Sequence, residues 1–499
     1  MALSSTYAIV GIAAFALLIK LYQSLTNPLN AIPGPWHARF TGLPATLATL
    51  RHQQVQYHDV LHKRYGPQVR VSPRQVFVSD VPSFRTIHRI GGNFPKADYY
   101  HFFGPTEAGN PPYGLFQMTS MPDHARRRKL LGRGFTQAAL RAEWEDMVRE
   151  KVMAAVEGME VEARRACNGE VDMRKWWVLM ACDVVSQLMF GESFDTLATG
   201  KEDPWFRDLK VASQASFTAL SFPWLYEILK RLPVLRSTKF FNAYKALMGK
   251  GEAAVFNSKK SANAHASNLF AKVLDQAEKP NATLTDDDIA VEAGSFMVAG
   301  TDTTSNTLTY LIWAVLSRPE LQRALEDEVA GLGDGQDCTL TDARLEELPL
   351  LGAIIEETLR LYGAAPMPLP RIVPEGGVRL GEYFLPAGTN VATQAYTMHR
   401  DPEIYRDPET FDPSRWFPGG ECRVSEIARA AYSPFGAGAR VCVGKHLAYM
   451  ELRYGATIFF RRFRGCRLAP STTPESMAMT SLVLIEPKGK VCRVVLPVV

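Results

Sequence analysis

Ten residues, Phe435 to Gly444 (FGAGARVCVG), constrain this chain more than any other stretch. They place one cysteine, Cys442, among glycines, an arginine and a phenylalanine, in a loop that runs into a helical pattern, KHLAYMELRYGATIFF. A thiolate at a helix N-terminus is stabilised by the helix dipole and by backbone N–H groups that lack intrahelical partners. Gly436 and Gly438 allow positive φ, so the backbone can fold closely around the sulfur. Gly444 lets the following helix approach a flat partner where a Cβ would clash. Arg440 is placed to meet an anion, and Phe435 to shield the site from water. A buried free cysteine in a glycine-rich turn explains any one of these residues more simply. Taken in order, a lone thiolate, an aromatic wall and an arginine for a carboxylate describe the proximal side of a thiolate-ligated haem.

The rest of the chain must be able to bury such a group. With 499 residues, 46% hydrophobic and 22% charged, it has ample material for a large core. Its net charge of +4 gives no argument for nucleic acid, although basic residues cluster at Arg126 to Lys129 and at Arg461 to Arg467. The seven cysteines (Cys167, Cys182, Cys338, Cys422, Cys442, Cys466, Cys492) are widely spaced without a CxxC. That argues against a disulfide framework or a zinc site and fits a reducing compartment, where the sequon at Asn281 is a chance match.

The N-terminus differs in kind. Every residue from Ala8 to Ile19 is apolar or Gly, and the greasy stretch reaches about Leu25 if Lys20 snorkels, close to the roughly 20 residues a bilayer needs. It has neither the basic n-region nor the cleavage site of a signal peptide. NPLNAIPGPW then follows, stiff and non-helical. The expected organisation is a membrane anchor over 1–27, a proline-rich hinge over 28–40 and a catalytic domain over 41–499.

Beyond the hinge, Gln68 to Asp80 alternates as a β-hairpin. Helical periodicity spans 138–166, 176–190, 205–230, 286–317 and 319–330, and short strands return near Val378 to Leu385 and in Leu482 to Val498. This is an α-rich α+β domain, mainly helical with small sheets. The 286–317 pattern starts at a cap-like Thr285 and carries Ala299 to Thr304 (AGTDTT) at its centre. Gly300 costs about 1 kcal/mol there, the threonines are stiff, and Asp302 puts a charge in a greasy helix. Such broken rules mark a functional site or, more simply, a helix break capped by Asp302. Further on, LGAIIEETLRLYG puts Glu357 and Arg360 on one helical face, with Glu356 as rival carboxylate.

These motifs, in this order, resemble the cytochrome P-450 family. FGAGARVCVG matches its FxxGxRxCxG signature, AGTDTT its [AG]Gx[DE]TT, and ExxR falls between them, with FDPSRWF (Phe411 to Phe417) downstream. The resemblance covers the chain from anchor to C-terminal strands and implies haem b with Cys442 as the axial ligand of its iron. Around it Phe435, Gly436, Gly438 and Gly444 form the loop. His124, Arg128, Arg371 and Arg440 would hold the propionates, although the family often has Trp where His124 stands. Asp302 and Thr303 would be the acid–alcohol pair that delivers protons on the oxygen side, with Gly300 and a local distortion making room for O2. Glu357, Arg360 and Arg415 would pin the segment leading to the cysteine loop, a structural role.

The implied enzyme is a mono-oxygenase anchored in the endoplasmic reticulum membrane with a cytosolic catalytic domain. It places one atom of O2 in a lipophilic substrate and releases the other as water. Electrons come from NADPH through NADPH–cytochrome P-450 reductase, with cytochrome b5 as accessory donor, and Arg126, Arg127, Lys129 and Lys445 are candidates to dock it. The texture around AGTDTTSNTLTYLIW and HARRRKLL resembles the fungal secondary-metabolism branch, whose substrates are polyketides, terpenoids or alkaloids. Pro95 to Phe116, 205–240, Gly363 to Pro368 and Met477 to Thr480 would line the pocket. Two other readings have their own signatures. A haem-thiolate isomerase or dehydratase acting on peroxides generally lacks the acid–alcohol pair, and a non-enzymatic haem sensor needs neither that pair nor an apolar pocket.

Overall fold

The computed structural model describes residues 18–103, 114–203 except 167, 284–333, 339–417 and 423–497 except 482, with isolated positions in 11–15, 222–232 and 256–269. The expected 205–230 helix, the sequon, and Cys167, Cys338 and Cys422 lie outside the described residues. The elements that position the site are, in chain order, α1 (Leu43–Leu50), β1 (Gln68–Ser72), β2 (Gln75–Val78), α2 (Met121–Leu131), α3 (Glu145–Arg165), α4 (Met173–Phe190), α5 (Asp286–Leu316), α6 (Pro319–Ala330), α7 (Pro349–Tyr362), β3 (Pro368–Ile372), β4 (Asn390–Gln394) and α8 (Lys445–Arg462).

A helix that is apolar all round belongs in a core. α4 is the clearest case, buried from Met173 to Phe190 apart from Lys175 and Gln187. It packs along α5, which runs unbroken for 31 residues from a capping box between Thr285 and Asp288. The helix break considered for Asp302 is therefore absent. Glycines set how closely these helices approach. A Cβ on Gly300 would fall 2.3 Å from Val185 Cγ2 of α4, and one on Gly455 of α8 would fall 2.5 Å from Leu308 Cδ2 of α5. Gly300 thus seats α4 against an undistorted α5, and the expected local distortion that makes room at the site is not seen.

The helical pattern over 138–166 divides at Trp144, whose φ of −127° and buried indole turn the chain between Gln137–Glu143 and α3. The hairpin forms as β1 and β2 and extends into a four-stranded sheet in the order β1-β2-β4-β3. β2 and β4 are parallel, with Gln75 opposite Asn390. β4 and β3 are antiparallel, with Arg371 opposite Val391. Of the strands expected over 482–498, the described ones are Ile485–Pro487, paired with Met479–Ser481, and Arg493–Val495, paired with Arg467–Leu468.

The proline-rich segment is docked on this sheet. Leu29 and Ile32 are buried with Val76, Val78 and Val391, and Asn27 Nδ2 donates to Pro73 O at 3.0 Å. Even Ser24 is buried, its hydroxyl donating to Arg39 O at 2.9 Å. Most of the expected anchor, up to Leu17, lies outside the described residues. Among the described residues no helix is long and apolar enough to cross a membrane.

Candidate active site

The cysteine loop is shaped by two positive-φ glycines, Gly436 (72°) and Gly438 (65°). Only glycine fits at 438, where a Cβ would sit 1.8 Å from His88 O. Cys442 N–H donates to Phe435 O at 2.9 Å and closes the loop. The sulfur lies at the start of α8 and accepts from the backbone N–H groups of Gly444 and Lys445. Burial raises the thiol's pKa, and those donors together with Arg128 oppose the rise. The side chain is nonetheless open to solvent, and a Cβ on Gly444 would meet only Cys442 Sγ, at 3.9 Å. Phe435 packs on Tyr449, ring centroids 5.5 Å apart. Among the described residues no cluster of His, Cys, Asp and Glu could hold a metal ion, and Cys182, Cys466 and Cys492 are buried.

Five basic side chains from four parts of the sequence converge beside this loop. Arg128 of α2 donates to Val441 O at 2.6 Å, and Arg440 reaches back to Met118 O (2.8 Å) and Thr119 O (3.2 Å). Arg371 of β3 donates to the Tyr100 hydroxyl at 3.1 Å. Lys96 Nζ lies 4.2 Å from the centroid of the Tyr100 ring and donates to Phe116 O at 2.6 Å. Burial, then the charges of Arg440, Lys96, Arg128 and Arg371, push His124 down to about 3, so it is neutral. Burial followed by neighbouring arginines also lowers Lys96 well below its ordinary value and Arg440 to about 10. Among the described residues none of the five forms an ion pair with a carboxylate. Buried cations that depress one another in this way are stabilised by an anion placed among them. Lys96 was missed by sequence reasoning, which took Pro95 to Phe116 only as pocket wall. A lone lysine followed closely by Tyr99 and Tyr100 was the available signal.

In α5, Ala299 is exposed although the helix is buried on either side of this turn. Asp302 and Thr303 are half-buried beside it. The Thr303 hydroxyl donates to Ala299 O at 2.5 Å. The basic candidates for a docking face divide. Arg127 is committed inward, to Asp288 (2.5 Å) and to buried Glu292 (3.1 Å), which removes it from any outer surface. Arg126, paired with Asp123, and Lys129 are exposed.

Glu357, not Glu356, meets both arginines. Arg360 grips it with two bonds of 2.8 Å, and Arg415 Nε (3.2 Å), Trp416 Nε1 (3.0 Å) and Asp412 N (2.9 Å) complete its shell. The arginines spend their other donors on carbonyls of His399, Pro408 and Asp407, fixing the segment before the cysteine loop. Glu356 instead accepts from the Tyr449 hydroxyl at 2.9 Å. Breaking a buried, fully satisfied pair of this kind costs about 3–5 kcal/mol.

A family model described as Cytochrome P450 matches residues 33–493. The chain belongs to the cytochrome P450 family. It is 39% identical to the cytochrome P450 monooxygenase cypX of Dothistroma septosporum, over 98% of this chain and 96% of that one. It is 40% identical to the cytochrome P450 monooxygenase stcB of Emericella nidulans (94% and 89% covered) and 38% identical to aflV of Aspergillus parasiticus (98% and 95%). This cytochrome P450 is an oxidoreductase, a mono-oxygenase, and its cofactor is haem b. The residues present fit that group, because an accessible thiol at a helix N-terminus stands beside a cation cluster suited to two carboxylates.

Proposed function

We propose that this cytochrome P450 oxygenates a lipophilic small molecule of secondary metabolism, a polyketide, terpenoid or alkaloid, using electrons from NADPH. The observation that carries the reading is the five-membered basic cluster beside Cys442. Haem, when bound, supplies the activation of O2. Cys442 would hold its iron, helped by the N–H groups of Gly444 and Lys445, and Arg128, Arg371, Arg440, Lys96 and neutral His124 would hold its propionates. Phe435, packed on Tyr449, would stand as an aromatic wall on the cysteine side of the bound group. Asp302 and Thr303, on the open turn of α5, hold and pass protons.

The electrons would arrive from NADPH–cytochrome P450 reductase, with cytochrome b5 as a second donor, at a face carrying Arg126, Lys129 and Lys445. Residues 1–27 would anchor the chain in the endoplasmic reticulum membrane, with 28–40 as connection and 41–499 as the cytosolic catalytic domain. Supporting this, the exposed apolar residues Phe15, Leu18, Leu21, Tyr22 and Leu25 are followed by exposed Trp36, Phe40, Leu43, Leu47 and Leu50.

The test uses the lipophilic metabolite that accumulates when the gene for this chain is deleted. Incubated with the protein, a reductase, NADPH and isotopically labelled O2, it should gain one labelled oxygen atom. Conversion without NADPH, or without label, would overturn the reading in favour of an isomerase or dehydratase.

A further inference from the structure

Glu292 lies on α5, about three turns before Asp302, and is fully buried. Its Oε1 accepts twice, from the backbone N–H of Leu115 at 2.8 Å and from Arg127 Nη1 of α2 at 3.1 Å. Arg127 is held in turn by Asp288, one turn earlier on α5, at 2.5 Å. Leu115 is buried and belongs to no helix or strand. A buried backbone N–H must find an acceptor, and here a side chain 177 residues away supplies it. Glycine permits the approach: a Cβ on Gly114 would lie 2.9 Å from Ser295 Oγ and 3.3 Å from Glu292 Oε2.

The residues after Leu115 are tied one by one. Phe116 O accepts from Lys96 Nζ at 2.6 Å, and Gln117 Nε2 donates to Ser295 Oγ at 3.4 Å. Met118 O and Thr119 O accept from Arg440 at 2.8 and 3.2 Å, and the Ser120 hydroxyl caps α2 by accepting from Asp123 N. Residues 114–120 thus form a strap that runs from α5 to the basic cluster. Lys96 and Arg440, assigned to the propionates, hold its far side. Glu292 and Arg127 hold its near side and belong to no part of that cluster. Phe116, next to them, is exposed.

We propose that Glu292 is a positioning residue: with Arg127 it clasps the strap to α5, and so places Phe116 in the pocket wall and the carbonyls that orient Lys96 and Arg440. That Phe116 lines the pocket rests on the function proposed above, and the clasp itself does not. Both donors meet one oxygen, so an acceptor at that place suffices whatever its charge. Burial can therefore lift the Glu292 pKa from 4.5 to about 7, opposed by Arg127 and the Leu115 N–H, without opening the clasp.

Glu292→Gln keeps an oxygen for both donors, and Glu292→Leu removes it. In the haem-loaded protein, hydrogen exchange over 114–120, read by mass spectrometry, should be slow in wild type and E292Q. In E292L it should quicken about tenfold or more, as expected for losing hydrogen bonds that involve a charged group. The second readout is the change in haem absorption on adding the metabolite that accumulates when the gene is deleted. Its apparent Kd should match wild type in E292Q and rise severalfold in E292L while kcat holds, because apparent affinity falls with the fraction of molecules whose strap is seated. Exchange that is unchanged in E292L, an E292Q as fast as E292L, or a kcat that falls with no rise in Kd would overturn the proposal. A wild-type strap that exchanges as fast as an unstructured peptide would overturn it even if E292L did not fold. If the metabolite leaves the wild-type spectrum unmoved, the function proposed above fails and the exchange rates still decide the clasp.

Discussion

The Thr303 hydroxyl is held by Ala299 O at 2.5 Å, so it must rotate before it can donate elsewhere. A neutral hydrogen bond is worth about 0.5–1.5 kcal/mol net, which makes that rotation a small cost. Thr303→Ala should leave NADPH consumption intact while product per NADPH falls by an order of magnitude or more, as expected for losing a positioned proton donor. Thr303→Ser should recover much of it. An unchanged ratio in Thr303→Ala would remove the hydroxyl from proton delivery. The AGTDTT motif could be read from sequence because a charge and stiff residues offend a buried helix. Lys96 could not, because a lysine offends nothing until the fold buries it. Choosing between Glu356 and Glu357 likewise needed three dimensions, since both share a face with Arg360 and only Glu357 turns toward Arg415.

Among helices, the informative residue is Gly300. Within α5 alone, Gly300→Ala would add about 1 kcal/mol of stability. Against α4 the new Cβ meets Val185 Cγ2 at 2.3 Å, and overpacking of this kind costs about 1–3 kcal/mol. Gly300→Ala should therefore lower the melting temperature, and adding Val185→Ala should restore part of the loss. A stabilised single mutant would mean that Gly300 serves the cavity rather than the helix contact. Most helices were legible because their periodicity is strong and their caps are conventional, as with Thr285 and Asp288. The break at Trp144 was not, since an aromatic residue in an amphipathic run gives no local stop signal. Nor was the partner of Gly300, because a residue that seats two helices and one that opens a cavity look alike in one dimension.

Across the whole molecule, contacts between distant residues assemble both the basic cluster and the attachment of the N-terminal segment. Lys96, His124, Arg128, Arg371 and Arg440 become neighbours only when β3, α2 and the cysteine loop meet. The family resemblance pointed to four of them, and composition pointed to none. At the N-terminus, Ser24, Asn27 and Asn30 are bonded into the body, so a cut before residue 22 spares every one of these contacts. A chain lacking residues 1–21 should fold, bind haem and melt within a few degrees of the full protein. It should still sediment partly with lipid vesicles through Trp36, Leu43, Leu47 and Leu50. Failure to bind haem would show that the removed segment belongs to the catalytic body.

The reduced, carbon monoxide-treated protein offers the most direct check on Cys442 as the thiolate of this cytochrome P450. Wild type should give the absorption band of a thiolate-ligated haem, and Cys442→Ala should abolish it. Cys182→Ala, Cys466→Ala and Cys492→Ala, each at a buried cysteine, should keep it. A band that survives Cys442→Ala, or one that disappears with any of the other three, would contradict the assignment.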